Sequence, residues 1–110
     1  MSSELAQKEC KPCREETPPL KGNELNHILS QLGGGWRVIA EQRLEREFKF
    51  KDFLSALSFV NRVGEIAEKQ NHHPDIYFTW GHARIQIWTH SINGLSESDF
   101  ILAAKINELK

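Results

Sequence analysis

The sequence predicts an α+β domain: a four-stranded antiparallel sheet with helices packed on one face, in the order α-β-β-α-β-β-α. Two pairs of short segments alternate apolar and polar residues, and each pair is followed by a segment whose apolar residues recur at helical spacing. A third helical segment precedes the first pair, and such an order fits a two-layer arrangement. The 110 residues suffice for one hydrophobic core without disulfides or metal.

Residues 1–22 read as an N-terminal arm, ending in Thr17-Pro18-Pro19-Leu20-Lys21-Gly22, where the prolines hold the chain extended. The domain is expected over 23–110. From Asn23, Leu25, Ile28, Leu29 and Leu32 share one helical face, and Gly33-Gly34-Gly35 stops the helix. Trp36 to Ala40 and Arg43 to Phe50 read as strands, with Leu44, Phe48 and Phe50 inward, Glu45, Glu47 and Lys49 outward, and Arg46 breaking the inward pattern. Asp52 is a plausible N-cap for a long helix. Its stripe of Phe53, Ala56, Leu57, Val60, Val63 and Ala67, widened by Phe59 and Ile66, calls for cover on two sides. Pro74 ends this helix near Asn71. Ile76, Phe78 and Trp80 and then Ile85 and Ile87 give the second hairpin an apolar face. Ser96 and Asp99 have the form of a capping box opening a last helix with Phe100, Leu102, Ala103, Ile106 and Leu109.

The formal net charge is -1 with acids and bases interleaved, which argues against nucleic acid as a direct partner. No apolar run is long enough for a membrane span, and the first residues are polar where a secretory leader needs an apolar stretch. A cytoplasmic protein is the expectation. Cys10 and Cys13 form a Cys-Lys-Pro-Cys pair, too few ligands for a structural zinc and outside the strand-to-helix context of a thioredoxin-type site. The simpler reading is two solvent-facing thiols on a loose arm; a shared metal or redox role is the other.

Four of the five histidines, His72, His73, His82 and His90, flank or cap the second hairpin. With Gly81-His82 as a two-residue turn, Trp80 pairs with Ala83, Phe78 with Ile85 and Ile76 with Ile87. The same count sets His73 opposite His90, on the sheet face that carries Arg84, Gln86 and Trp88. Imidazoles titrate near pH ~6.5, so a group of them can hold one proton and lack another at neutral pH, as paired acid and base work requires. Three readings stay open on the residues alone: a functional histidine cluster, helix capping and turn roles, or metal binding. Metal ranks last, because neighbouring residues of an extended chain point to opposite faces and His72 and His73 would not share an ion. Glu68, near the C-terminal end of a helix whose dipole disfavours an acid, calls for a cationic partner such as a protonated histidine, or else for a solvated face. Asp99 has a capping role that competes with a catalytic one.

Glu68-Lys69-Gln70-Asn71-His72-His73-Pro74, then Thr89-His90, then Gly94-Leu95-Ser96-Glu97-Ser98-Asp99 resemble the motif of the pterin-4a-carbinolamine dehydratases. Gly35-Trp36 and Phe48-Lys49-Phe50-Lys51-Asp52-Phe53 are similar to the family as well, so the resemblance runs from about Asn23 to Leu109. It implies a hydro-lyase that converts 4a-hydroxytetrahydropterin to quinonoid dihydropterin and water, with no cofactor and no metal. By that resemblance His72, His73 and His90 surround the pterin, His72 and His90 as acid and base and His73 as an orienting group. Glu68 and Asp99 hold the imidazoles, Trp36 or Trp88 walls the ring, and Asn71, Pro74, Trp88, Thr89 and Ser91 line the pocket. It also implies a homodimer or homotetramer. The alternative is a pterin-binding or coregulatory protein with little dehydratase activity, related to the family's transcriptional dimerisation cofactors or tied to molybdopterin metabolism.

Overall fold

The computed structural model describes residues 4–8, 10 and 18–109 of the chain. A short helix, α1 (Glu4–Gln7), is followed by α2 (Gly22–Leu32), β1 (Arg37–Ile39), β2 (Arg43–Lys49), α3 (Phe53–Gln70), β3 (Asp75–Thr79), β4 (His82–Ile87), a 3₁₀ turn (His90–Ile92) and α4 (Glu97–Asn107). The strands form one antiparallel sheet in the order β1-β2-β4-β3. The two hairpins therefore meet through β2 and β4, with Leu44 opposite Ile87, Arg46 opposite Ile85 and Phe48 opposite Ala83. Leu44, Ala83, Ile85 and Ile87 are fully buried and floor the core.

α4 is the central helix. Residues 98–104 are buried all the way round, because α1, α2 and α3 each pack against it. A helix covered on all sides has no polar stripe, which explains why its apolar residues keep no single face. α3 buries Ala56, Val63 and Ala67, and Phe59 and Ile66 pack on the core beside them, but Phe53, at the start of the expected stripe, is 47% exposed because it lies at the helix N-terminus beyond the core. Its N-cap is Asp52, whose carboxylate accepts from the Ser55 N–H at 2.7 Å; a hydrogen bond from the Ser55 side chain, and then this backbone bond, hold it below the usual carboxylate range.

The first hairpin closes with Ile39 opposite Arg43, and Ala40 and Glu41 turn the corner in the left-handed region at φ 54° and 56°. Neither is a glycine or asparagine, so the usual sign of such a turn is missing from the sequence. Arg46, which broke the inward pattern, does face inward. Its guanidinium lies 4.5 Å from the centre of the Phe48 ring and donates to Asn107 Oδ1 at 2.6 Å, and burial pushes its pKa down. Asn107 also accepts from Trp36 Nε1 at 2.8 Å and donates to Leu32 O at 3.3 Å. One amide thus joins the ends of α2 and α4 to the sheet. Gly34, at φ 75°, sits so close to this cluster that a Cβ would lie 2.7 Å from Arg46 Nη1.

The second hairpin departs from its expected register. Its turn is Trp80-Gly81, with Thr79 opposite His82, Phe78 opposite Ala83, Ile76 opposite Ile85 and Asp75 opposite Gln86. Gly81 belongs in that turn for a local reason: its carbonyl accepts from Phe50 N at 2.9 Å, and a Cβ would come within 3.0 Å of Phe50 O. A slip of two residues leaves every side chain on its expected face, so apolar matching could not detect it. Trp80 leaves the apolar row and is 65% exposed.

Glu45 lies on the open face as expected, yet is only 7% exposed. Gln86 Nε2 donates to it at 2.8 Å, Arg37 pairs with it, and Arg84 Nε stands 3.8 Å away. The Gln86 hydrogen bond, then the arginines, hold its pKa below the usual value against the opposing effect of burial. A depressed carboxylate stabilises the fold above its unfolded pKa, near ~4.3, and loses that contribution as pH falls through its folded value. Glu45→Gln is therefore expected to flatten the dependence of Tm on pH below about pH 4.3. Parallel Tm curves for the two proteins would show that Glu45 makes no such contribution.

Candidate active site

The end of α3 and the start of α4 are built to face one another. Asn71 caps α3 in the left-handed conformation, at φ 52°, and the N–H groups of Asn71 and His72 return to the carbonyls of Glu68 and Ala67. His72 is thus fixed in the closing turn of the helix. At the start of α4, Ser96 is the N-cap and Asp99 the N3 residue of a complete capping box.

Asp99 is fully buried. Its Oδ2 accepts from Ser96 N at 2.8 Å and from Thr89 Oγ1 at 2.8 Å, and its Oδ1 meets His72 Nε2 at 2.6 Å. Capping and histidine binding, which competed in the sequence, are served by different oxygens of one carboxylate. Because a carboxylate only accepts, His72 Nε2 carries the proton of this bond, and in the neutral ring the lone pair lies on Nδ1. The carboxylate lies at the positive end of the α4 dipole and the imidazole at the negative end of the α3 dipole.

His73 turns to a different acid. Its Nε2 lies 3.0 Å from Glu68 Oε1, so the histidine that partners Glu68 is His73, and both side chains are exposed. An open cleft of about 770 Å³ lies beside this pair, walled by Gly64, Ala67, Glu68, His73, Pro74 and Ile76. His72 and His90 are not among the residues lining it. The adjacent histidines engage separate carboxylates.

His90 is not on a strand. β4 ends at Ile87, Thr89 forms a bridge with Gly94, and His90 opens the 3₁₀ turn between them, exposed to solvent with Ser91. The Trp88 ring lies 4.0 Å from the His90 ring, and its Nε1 donates to Asp75 Oδ2 at 3.2 Å. Continued past Asp75 and Gln86, the observed register sets His73 opposite Trp88 and not opposite His90, which corrects the predicted pairing. What links His90 to His72 is its neighbour Thr89, which donates to the carboxylate that His72 holds. Trp36 lies away from this site: it is buried at the Asn107 end of α4, and Asn107 is eight residues or roughly 12 Å along the helix from Asp99. Asp75 was missed in the sequence, where a lone strand acid has no distinguishing pattern.

Cys10 also departs from expectation. It is partly buried, its N–H donating to Gln70 Oε1 at 2.8 Å and its Sγ lying 3.4 Å from Ser98 O. Cys13 falls outside the described residues. Among the described residues no three His, Cys, Asp or Glu side chains are grouped to hold a metal ion, and no helix is long and apolar enough to cross a membrane.

Fold and site together define a small α+β protein whose helix ends present histidine–carboxylate pairs. The chain belongs to the pterin 4 alpha carbinolamine dehydratase family, whose model matches residues 18–109. It is 59% identical over 107 residues to a protein of Rubrobacter xylanophilus, covering 97% of this chain and 99% of that one. A protein of Alkaliphilus metalliredigens is 52% identical over 104 residues, 94% of each chain, and both names place these relatives in the same family. Among solved structures, a transcriptional coactivator/pterin dehydratase from Brucella melitensis matches with a TM-score of 0.75 and 36% identity, over 81% of this chain and 95% of that one. A pterin dehydratase-like protein identified as a RuBisCO assembly factor in the α-carboxysome shares the fold, with a TM-score of 0.59 and 21% identity over 67% and 87% of the chains.

Proposed function

We propose that the protein dehydrates 4a-hydroxytetrahydropterin to quinonoid dihydropterin by histidine acid–base catalysis. The observation that carries this reading is the 2.6 Å pair of His72 with a buried, fully tethered Asp99, one residue away from His90 through Thr89. Loss of water needs a proton delivered to the departing 4a-hydroxyl and the N5 proton removed, while the nitrogen lone pair expels the oxygen. An imidazole whose Nε2–H is tied to a carboxylate presents a basic Nδ1, so His72 is suited to one transfer. His90, exposed beside Trp88, is suited to the other. His73, steadied by Glu68, orients the substrate at the mouth of the cleft. Asn71, Pro74, Trp88, Thr89 and Ser91 complete the binding residues, with residues 23–110 as the catalytic domain and 1–22 as its arm.

The protein acts in the cytoplasm as a homo-oligomer in this reading. Phe53, Leu54, Tyr77 and Trp80 support the association, being large and apolar yet largely exposed. The test is direct: purified protein supplied with 4a-hydroxytetrahydropterin should speed formation of the quinonoid product over the spontaneous rate, and a chelator should leave the rate unchanged. No acceleration over the spontaneous rate would reject a dehydratase; loss on chelation with recovery on added zinc would replace histidine catalysis with metal chemistry.

A further inference from the structure

The arm ahead of the family's matched region is tied to both halves of the His72–Asp99 pair. Leu5 of α1 is buried in the core at 3% exposure, and Lys105 Nζ donates to Ala6 O at 2.7 Å, which seats α1 along α4. Lys8 then pairs with Glu97 at 3.1 Å on the first turn of α4. Cys10 ends the described part of this run between the two helix ends: its N–H is bonded to Gln70, the last residue of α3, and its Sγ to the carbonyl of Ser98, in the first turn of α4. Gln70 is two residues before His72, and Ser98 is one before Asp99.

We infer that the described part of the arm, α1 with Lys8 and Cys10, is a strap that sets the spacing of the His72–Asp99 pair, with Cys10 and Gln70 as its positioning residues. Their described hydrogen bonds run to one another and to Ser98 O, not to the imidazole or the carboxylate of the pair. Each acts on the backbone that carries them, and a shift of about 1 Å in a catalytic group can cost on the order of 10²-fold in rate. The inference rests on the dehydratase reading for its kinetic consequence and on geometry alone for its effect on His72.

The experiment compares Cys10→Ala and Gln70→Ala with the conservative Cys10→Ser and Gln70→Glu in the full chain. A serine hydroxyl still donates to Ser98 O, and a glutamate still accepts from the residue 10 N–H. Alanine at 70 is a strong helix former, so that variant keeps the fold even should the change at position 10 disturb it. Both alanine variants are expected to lower kcat by roughly tenfold to a hundredfold with KM within about twofold of wild type, and both conservative variants to restore kcat. Without substrate, the ¹⁵N shifts of the His72 ring should move in the alanine variants and return in the conservative ones, while those of His27 stay fixed. Unmoved His72 shifts in Gln70→Ala would overturn the strap, whatever happens to kcat. Should the wild-type protein itself fail to dehydrate the pterin, the dehydratase reading falls, and the His72 shifts still decide the strap.

Discussion

Replacing His72 or His90 by alanine is expected to lower kcat for pterin dehydration by about 10²- to 10⁴-fold each, the range a positioned proton-transfer group contributes. The two variants should stay folded for different reasons. His90 is exposed in its turn, so its removal leaves no buried gap. His72 is partly buried, and its loss frees one oxygen of Asp99 while Ser96 and Thr89 still hold the other. The variants should also differ in pH profile, because kcat/KM loses one limb of a bell when its acid is removed and the other when its base is removed. Those profiles assign the roles that geometry leaves symmetric. His73→Ala is expected to raise KM more than it lowers kcat, since His73 stands at the cleft beside Glu68. Full activity in both His72→Ala and His90→Ala, measured on folded protein, would remove the histidine mechanism.

Asp99 should show the second large effect, and on two measurements at once. Asp99→Ala removes an acceptor from Ser96 N, Thr89 Oγ1 and His72 Nε2 inside a fully buried site. Donors left unpaired in such a place cost about 2–3 kcal/mol, which for a domain of this size lowers Tm by about 10 °C or more. Asp99→Asn separates the two roles. Its amide oxygen can still accept at the helix cap, but its NH₂ then faces His72 and favours the other tautomer. The asparagine variant should therefore melt near wild type and yet lose about 10²-fold or more in kcat, the behaviour of an aspartate that fixes a catalytic imidazole. Equal losses of stability and activity in the two variants would leave Asp99 as a cap only.

The two hairpins show where pattern carries information and where it stops. Alternation placed Leu44, Ile85 and Ile87 on the buried face, because a residue on the wrong face of a half-buried sheet loses its whole burial energy. Register along the strand is a weaker constraint: a slip of two residues keeps every face, and the turn at Trp80 goes with long-range contacts such as that of Phe50 with Gly81. The expected pairing of His73 with His90 failed with that register. Asn71, Ser96 and Asp99 were legible as caps because capping is local chemistry. Arg46 was legible only as an exception, since its partners Asn107 and Phe48 come from a distant helix and from its own strand.

Order and type of the elements from α2 onward, the family motif and the residue types at the site are properties of the chain itself, because periodicity and capping act within a few residues of one another; α1, whose Leu5 is buried against the core, was not read from the arm. Which acid serves which histidine was decided only by folding. His72 passes over Glu68, four residues before it, to meet Asp99, and His73 takes Glu68 instead. That choice depends on where α4 lies against the end of α3, a packing outcome spread over the whole core and the arm, and no short stretch of sequence encodes it.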